Sequence, residues 1–568
     1  MHRLVIALIG LCVAVLPAPA AARDTGVRTY EVGGVLTSLD RSAVAATGAA
    51  IVEADHASVL VTASAADLRR LRRLRYPIAP YTAPAAPGAA PRSPSTRAFP
   101  AADSGYHTYA EWVAETAAIV AAHPSLATRT QIGTSYEGRP IWALKVSDNV
   151  ASDEAEPEIL FTHNQHAREH LTVEMALYLL HALTGDYATD ARVRAAVDGR
   201  EIWIVPSVNP DGAEFDVATD DYVFWRKNRQ PASPTAVGTD LNRNWGFGWG
   251  CCGGSSGDPA SETYRGPSPF SAPETQAVAN FVRSRRIGGV QQIKAAIDFH
   301  TYGELVLWPY GYTVADTAPG LDADQHATFV AIGQSMAAAN GYTPEQASDL
   351  YITDGAIDDW LWGAEGIFAF TFEMYPTTAS PGFYPPDEVI AAQTARNREA
   401  VLRLLEIADC PYRAIGKQAA YCPGSETPPG APPPPPPPPA AVAVSPPPPP
   451  AAATRRALAG ALTTRAGVRP DGRVRLRLEC RLTRATRCRG TITLKARLPG
   501  GRGRATTIAR RSFSVAAGRP TLTLRLRAPA RRALRSRRTL AVSATVATLQ
   551  PSGVTRSRSR RVVLVPRR

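Results

Sequence analysis

Two uninterrupted proline runs, Pro432–Pro439 and Pro446–Pro450, constrain this chain more than any other feature. Proline fixes φ and lacks a backbone N–H, so neither a helix nor a sheet interior can cross such a run. Consecutive prolines instead adopt stiff, extended polyproline II. Residues 425–454 are therefore read as a linker with separate folding units on either side. A length of 568 residues leads to the same division, at roughly 100–200 residues per domain.

Charge divides at the same place. Residues 455–568 hold 31 Lys and Arg against two acids, Asp471 and Glu479, a net +29, while the rest of the chain carries −16. The overall +13 thus conceals an acidic body and a strongly basic tail domain. Such a tail suggests a polyanionic partner, nucleic acid or an anionic envelope polymer. A solvated Arg-rich surface without a partner is the alternative of equal weight.

Residues 1–22 read as a secretory signal. His2 and Arg3 precede the apolar run Leu4–Leu16, and small residues through Ala22 supply a cleavage site. The run is shorter than the roughly 20 residues a spanning helix needs, and no later segment is long and apolar enough to span a membrane. The expected location is extracellular, with envelope association as a further expectation. Of the seven cysteines, Cys12 lies in the signal and six remain. An even count in an exported chain favours disulfides. Cys410 with Cys422, and Cys480 with Cys488, are natural local pairs. The adjacent Cys251 and Cys252 form either a vicinal bridge or a reduced pair.

Residues 23–81 form a small α+β unit. Strands are expected at Val27–Val32 and Ser58–Thr62, and helices at Leu39–Ala46 and Ala65–Leu74. The unit is either a removable pro-segment or an ordinary small domain. An Ala/Pro/Ser-rich linker over 82–100 follows. From 101 to 424 apolar strand-like runs alternate with helical ones. Strands are expected at Glu158–Thr162, Glu201–Val205, Ala295–Phe299 and Phe368–Phe372. Helices are expected at Leu171–Leu183, Glu274–Arg283 and His326–Ala339, with one closing helix over Asp387–Ile407. This alternation predicts an α/β three-layer domain with a mixed, largely parallel central sheet. In residues 455–568, Val474–Leu478 and Leu522–Leu526 alternate aliphatic with Arg or Thr at period two. That pattern predicts an antiparallel all-β sandwich.

Three of the expected strands run directly into polar clusters. Glu158–Thr162 leads to His163-Asn164-Gln165-His166-Ala167-Arg168-Glu169-His170. Ala295–Phe299 leads to His300-Thr301-Tyr302, and Phe368–Phe372 to Glu373. In open α/β sheets ligands bind beyond the carboxyl ends of the strands, so these clusters can converge. Two imidazoles and one carboxylate suit zinc and leave a coordination position open. A further acid, Glu373, would then act as base. Each piece alone has a bland reading, such as a helix N-terminus or a hydrogen-bonded strand end.

Six motifs occur in order: H-A-R-E at 166–169, F-W-R-K-N-R at 224–229, D-L-N-R-N-W at 240–245, S-E-T-Y-R-G at 261–266, D-F-H-T-Y at 298–302 and F-T-F-E at 370–373. Together they resemble the zinc carboxypeptidase family of the pancreatic carboxypeptidase A and B type, over roughly residues 101–409. The resemblance implies one Zn²⁺ per chain, held by His166, Glu169 and His300, with Glu373 as general base. It implies Arg229 as the oxyanion-stabilising arginine. Asn242 and Arg243 would grip the substrate's terminal carboxylate, and Tyr351 would close over it. Arg168 and Tyr302 would line neighbouring subsites. Asp358 falls where an acid accompanies preference for C-terminal Lys or Arg, alongside which hydrophobic ends remain a second expectation.

The implied activity is that of a secreted, monomeric enzyme that removes single C-terminal residues from peptides or proteins. Hydrolysis of cell-wall peptides, and a zinc-free binding protein on the same fold, are the alternatives. The chain departs from the animal enzymes in having Ala260 where they have a cysteine. It also carries Cys251-Cys252 in a Gly-rich loop, a shorter N-terminal unit and the basic C-terminal domain.

Overall fold

The computed structural model describes residues 27–423 except 56, 82–98 and 220. Within 456–566 it describes all but 462–464, 484–487, 498–504, 516–520, 538 and 550–554. The expected signal, most of the 82–100 linker and the proline linker lie outside the described residues. The chain divides into two compact units, one ending at Ala431 and the other beginning at Pro432.

The N-terminal unit is an antiparallel four-stranded sheet in the order Ala50–Ala54, Ser58–Ala63, Arg28–Gly33, Ile78–Pro80. Two helices, Ser38–Ala45 and Ala65–Arg73, pack on it. Both begin with a reciprocal cap: Thr37 and Ser64 accept from Asp40 N and Asp67 N, whose carboxylates accept in return. This arrangement satisfies amides that the first helical turn leaves unpaired. Alternation in Val59 and Val61, with Val32, Val44 and Leu71, closes a small apolar core.

The central domain holds an eight-stranded mixed sheet. Its order is Thr343–Gln346, Leu305–Trp308, Phe368–Met374, Ile293–Thr301, Glu158–His163, Glu201–Val205, Pro140–Val146, Ala127–Thr134. The four strands expected from sequence are the contiguous parallel centre. Their middles read as apolar runs because both faces are covered; every residue of Glu158–His163 is buried. One face packs helices Leu171–Gly185, Ala323–Asn340 and Arg398–Ile407 through Met175, Leu179, Phe329, Met336, Leu404 and Leu405. The other packs Pro273–Ser284 and Ile357–Gly363 through Val278, Val282, Trp360 and Leu361.

The outer strands on either side of this centre were not anticipated. Leu305–Trp308 runs antiparallel to Phe368–Met374, and the pair Ala127–Thr134 and Pro140–Val146 is antiparallel at the other side. The closing helix also differs from expectation. A 3₁₀ turn over Asp387–Val389 and a helix Ile390–Ala395 precede the helix Arg398–Ile407. Buried Asn397 explains the interruption: its Nδ2 donates to the Gln393 carbonyl and its Oδ1 accepts from Asn340. A side chain that takes the i−4 carbonyl competes with the helical ladder.

In the C-terminal unit, strands at 456–461, 473–483, 465–468, 555–566, 540–549, 488–497 and 505–515 follow one path, and Thr521–Arg525 pairs with Arg473–Thr483. All pairs are antiparallel except Arg465–Val468 with Thr555–Pro566. The period-two reading holds: Val474, Leu476, Leu478, Leu522 and Leu524 are buried in one core. Helix Ala528–Arg537 adds Ala530 and Leu534 to that core and was not anticipated. The side chains of Cys480 and Cys488 lie outside the described residues, so their expected pairing does too. Cys410 and Cys422 are bridged as expected, and Cys251 and Cys252 form a vicinal disulfide.

Candidate active site

The parallel register brings the carboxyl ends of the central strands together. His300 lies directly opposite Glu373, and His163 opposite Phe299. Beyond His163 the chain turns through Asn164, whose φ of 55° falls in the left-handed region that Asn tolerates. Asn164 Nδ2 then donates to the carbonyls of His166 and Ala167. This turn presents His166 and Glu169 just before the helix at Leu171.

His166 Nδ1 lies 2.8 Å from Glu169 Oε1 and 3.1 Å from His300 Nδ1. His300 Nδ1 is 2.9 Å from Glu169 Oε2. On the far side of each ring stands a carboxylate: Asp240 Oδ1 at 3.2 Å from His166 Nε2, and Asp298 Oδ2 at 2.5 Å from His300 Nε2. Donation of Nε2–H to these acids fixes the tautomer and leaves both Nδ1 lone pairs facing each other and a carboxylate. Such a convergence is repulsive without a cation. It suits zinc, whose tetrahedral bonds of about 2.0 Å put ligand atoms roughly 3.3 Å apart. His166, Glu169 and His300 are buried, and the two imidazoles pull the Glu169 carboxyl well below its usual range against the effect of burial.

A cavity of about 450 Å³ opens onto this group. Its wall includes Asn242, Arg243, Tyr302, Tyr351, Asp358 and Glu373, all expected from sequence, together with Arg226. Glu373 is half-buried. Burial pushes its carboxyl up to about 8; His300 opposes the shift and Glu169 adds to it. Burial likewise pushes Asp358 up to about 6, against the Asp359 N–H that it accepts.

Two expected residues stand elsewhere. Arg229 is not on the cavity wall. Its guanidinium lies 3.6 Å from the Phe215 ring centroid and 4.8 Å from that of Trp225, with Glu137 at 3.7 Å. Arg226, three residues earlier, is the arginine of F-W-R-K-N-R that reaches the cleft, where Nε and Nη2 bind Asp240 Oδ2 at 3.1 and 2.9 Å. Asp240 and its other acidic neighbours raise the Arg226 pKa despite burial, so the charge is fixed. Arg168 is fully buried instead of lining a subsite. It lies over Phe383 and Phe224, 4.8 Å or less from each ring, and among the described residues its Nε and Nη2 have no hydrogen-bond partner.

Sequence reasoning missed Arg226, Asp240 and Asp298, although all three lie inside quoted motifs. The signal for the acids was the aspartate opening D-L-N-R-N-W and D-F-H-T-Y. Asp298 also accepts from Thr162 Oγ1 and Gln165 Nε2, so its orientation is fixed from two sides.

Arg243 is aimed by main-chain acceptors: Nε donates to Gly254 O and Nη1 to Asn242 O. The loop that carries Gly254 and the vicinal disulfide is held by Asp354, which accepts from Cys252 N and Gly254 N. Gly355, at φ 67°, permits the close approach of this segment to Arg243, since a Cβ there would stand 2.5 Å from the Arg243 carbonyl.

The N-terminal unit roofs the cavity with Leu36, Arg41, Val52 and Glu53. Arg41 donates to the carbonyls of Asp349 and Leu350, and Ser42 Oγ accepts from Ile352 N at 2.9 Å. These contacts bracket Tyr351. Further along, Ser261 and Thr263 donate to Gly48 O, and Arg70 pairs with Asp258.

Residues 112–400 match the family model described as zinc carboxypeptidase. The chain is 49% identical over 439 residues to a zinc carboxypeptidase of Saccharothrix mutabilis subsp. capreolus, covering 73% of this chain and 98% of that protein. It is 33% identical over 306 residues to carboxypeptidase A1 of Rattus norvegicus, covering 54% and 70% respectively. The crystal structure of carboxypeptidase A from Helicoverpa armigera superposes with a TM-score of 0.54 at 22% identity, over 69% of this chain and 98% of that one, and so shares its fold.

Proposed function

This chain belongs to the zinc carboxypeptidase family and is a zinc-dependent peptide hydrolase, and on that premise we propose that it removes single residues from peptide C-termini with a preference for Lys and Arg. The observation that carries this reading is one cavity whose wall joins His166 and Glu169, of the group completed by His300, with Glu373, the Asn242–Arg243 pair and Asp358. Zinc held by His166, Glu169 and His300 supplies Lewis acidity to the scissile carbonyl and the attacking water when it is bound. Glu373, a carboxyl poised near neutrality, takes the proton from water and passes it to the leaving amine.

Arg226 takes the oxyanion role in place of Arg229. Its charge is fixed by Asp240 before the reaction begins, which is the preorganisation that favours a developing negative charge. Arg243 offers a planar fork to the terminal carboxylate, with Asn242 beside it and Tyr351 on the same wall. Asp358 supplies a buried acid for a cationic side chain, and a buried carboxylate left unpaired disfavours an apolar one.

Residues 23–81 act as a removable cover, supported by their share of the cavity wall and by the contacts of Arg41 and Ser42 around Tyr351. The leader-like residues 1–22 support export, and the charge of residues 455–568 supports contact with a polyanion outside the cell.

Matched peptides ending in Arg, Lys, Phe and Leu, assayed before and after cleavage within 82–98, test these points. Arg- and Lys-ended peptides are expected to turn over fastest, with higher kcat/KM after cleavage. Asp358→Ala is expected to lose the Arg and Lys activity and retain that on Phe. Unchanged Arg turnover in that variant would remove Asp358 from the selection.

A further inference from the structure

The C-terminal unit presents a row of arginines on one strand. In Arg473–Thr483, Val474, Leu476 and Leu478 point into the core, so Arg473, Arg475 and Arg477 share the opposite face and are exposed. The neighbouring strand Thr521–Arg525 is in register: Arg473 stands opposite Arg525, Arg475 opposite Thr523 and Arg477 opposite Thr521. Arg525 is exposed as well. Arg511, also exposed, donates to the Thr523 carbonyl. The acids of residues 455–568 are Asp471 and Glu479 alone, and Asp471 stands 3.6 Å from Arg473.

The pleat sets the spacing. With a rise of about 3.3 Å per residue, alternate arginines recur at roughly 7 Å along a straight line. A guanidinium is a flat fork that binds phosphate oxygens in pairs. A linear polymer with one phosphodiester per short repeat can therefore meet each arginine in turn. Single-stranded nucleic acid has such phosphates too, but proteins hold it by stacking bases on aromatic side chains. Phe513 is the sole aromatic residue of 455–568, so the unit offers a row of bases no aromatic platform to stack on.

We propose that the face formed by Arg473, Arg475, Arg477 and Arg525 binds a linear polyol-phosphate polymer, and so holds the enzyme on an anionic surface. This deepens the polyanion contact proposed above by giving it a face and a ligand chemistry. It leaves the peptidase reading untouched, because small-peptide hydrolysis does not depend on it.

The test measures retention of the full chain on immobilised poly(glycerol phosphate) between about 20 and 500 mM salt. Three proteins are compared: the natural sequence, the triple variant Arg473→Gln/Arg475→Gln/Arg477→Gln, and Arg532→Gln/Arg535→Gln on the helix Ala528–Arg537 as a control at a different exposed site. Removal of one arginine–phosphate pair should flatten the log–log salt slope by about 0.7–0.9. The triple variant is expected to drop by about two to three in slope and at least tenfold in affinity near 0.1 M salt. The control should change markedly less. Equal losses in both variants would overturn the proposal in favour of diffuse charge attraction. Tighter retention on oligo(dT) than on poly(glycerol phosphate) at equal salt would overturn it in favour of nucleic acid. Equal retention on poly-glutamate would overturn the phosphate assignment. Hydrolysis of a short Arg-ended peptide and an unchanged melting profile report that each variant is folded. Loss of hydrolysis in the natural sequence would instead count against the peptidase reading and not against this one.

Discussion

The peptidase domain and the C-terminal unit treat charge in opposite ways. In the first, several charged groups are buried and paired. Arg226 binds Asp240, Lys145 Nζ lies 2.6 Å from Glu201, and Arg285 clamps Glu158. In the second, arginines stand exposed in a row with two acids among 31 basic residues. Breaking a buried pair strands the surviving charge and costs several kcal/mol, about 3–5 by general experience, whereas an exposed charge contributes little to stability. A buried charge is therefore held in one place and can take part in chemistry. An exposed one can be exchanged freely and acts only by its pattern.

The peptidase half of this contrast can be broken most sharply at Glu373. Glu373→Gln should retain zinc, since Glu373 is outside the group of ligands, yet lose about 10²–10⁴ in kcat on an Arg-ended peptide. A variant with full turnover would remove Glu373 as base. The two arginines of F-W-R-K-N-R come next. Arg226→Gln should lower kcat by about 10²–10³, while Arg229→Gln, which disturbs stacking on Phe215 and Trp225 and the contact with Glu137 away from the cleft, should lower it severalfold at most. The reverse order would restore Arg229 to the oxyanion role.

Asp298→Asn addresses how the imidazole of His300 is held. A tenfold to hundredfold loss of zinc affinity, read by competition with a chelator, is expected when a carboxylate partner of a ligating histidine is removed. Unchanged affinity would show that the ring needs no such partner. The smallest effect concerns pH. Burial raises the Asp358 pKa to about 6, so the acid is ionised above that pH and neutral below it. The ratio of kcat/KM for Arg-ended over Phe-ended peptides should fall as pH drops from 8 to 5, and a flat ratio would show that the charge of Asp358 does not select.

Sequence and structure agree best where a feature is local or periodic. The largely apolar strands Glu158–His163 and Phe368–Met374, the alternation of Val474 to Leu478 and the capped helices are set by neighbours a few residues apart. The outer strands Leu305–Trp308 and Thr343–Gln346 were not legible, being four residues each with no lasting period. The break at Asn397 depended on Asn340, 57 positions away.

By itself, the sequence determined the division at the proline runs, the opposite charges of the two parts, the sheet centre and the zinc-binding residue types at strand ends. The tertiary structure decided which of two arginines three residues apart faces the cleft, because an irregular segment has no period from which to read orientation. It also decided that Asp240 and Asp298 back the two histidines, and that residues 27–81 roof the cavity. These outcomes depend on strand register and on contacts between distant segments, which no local pattern encodes.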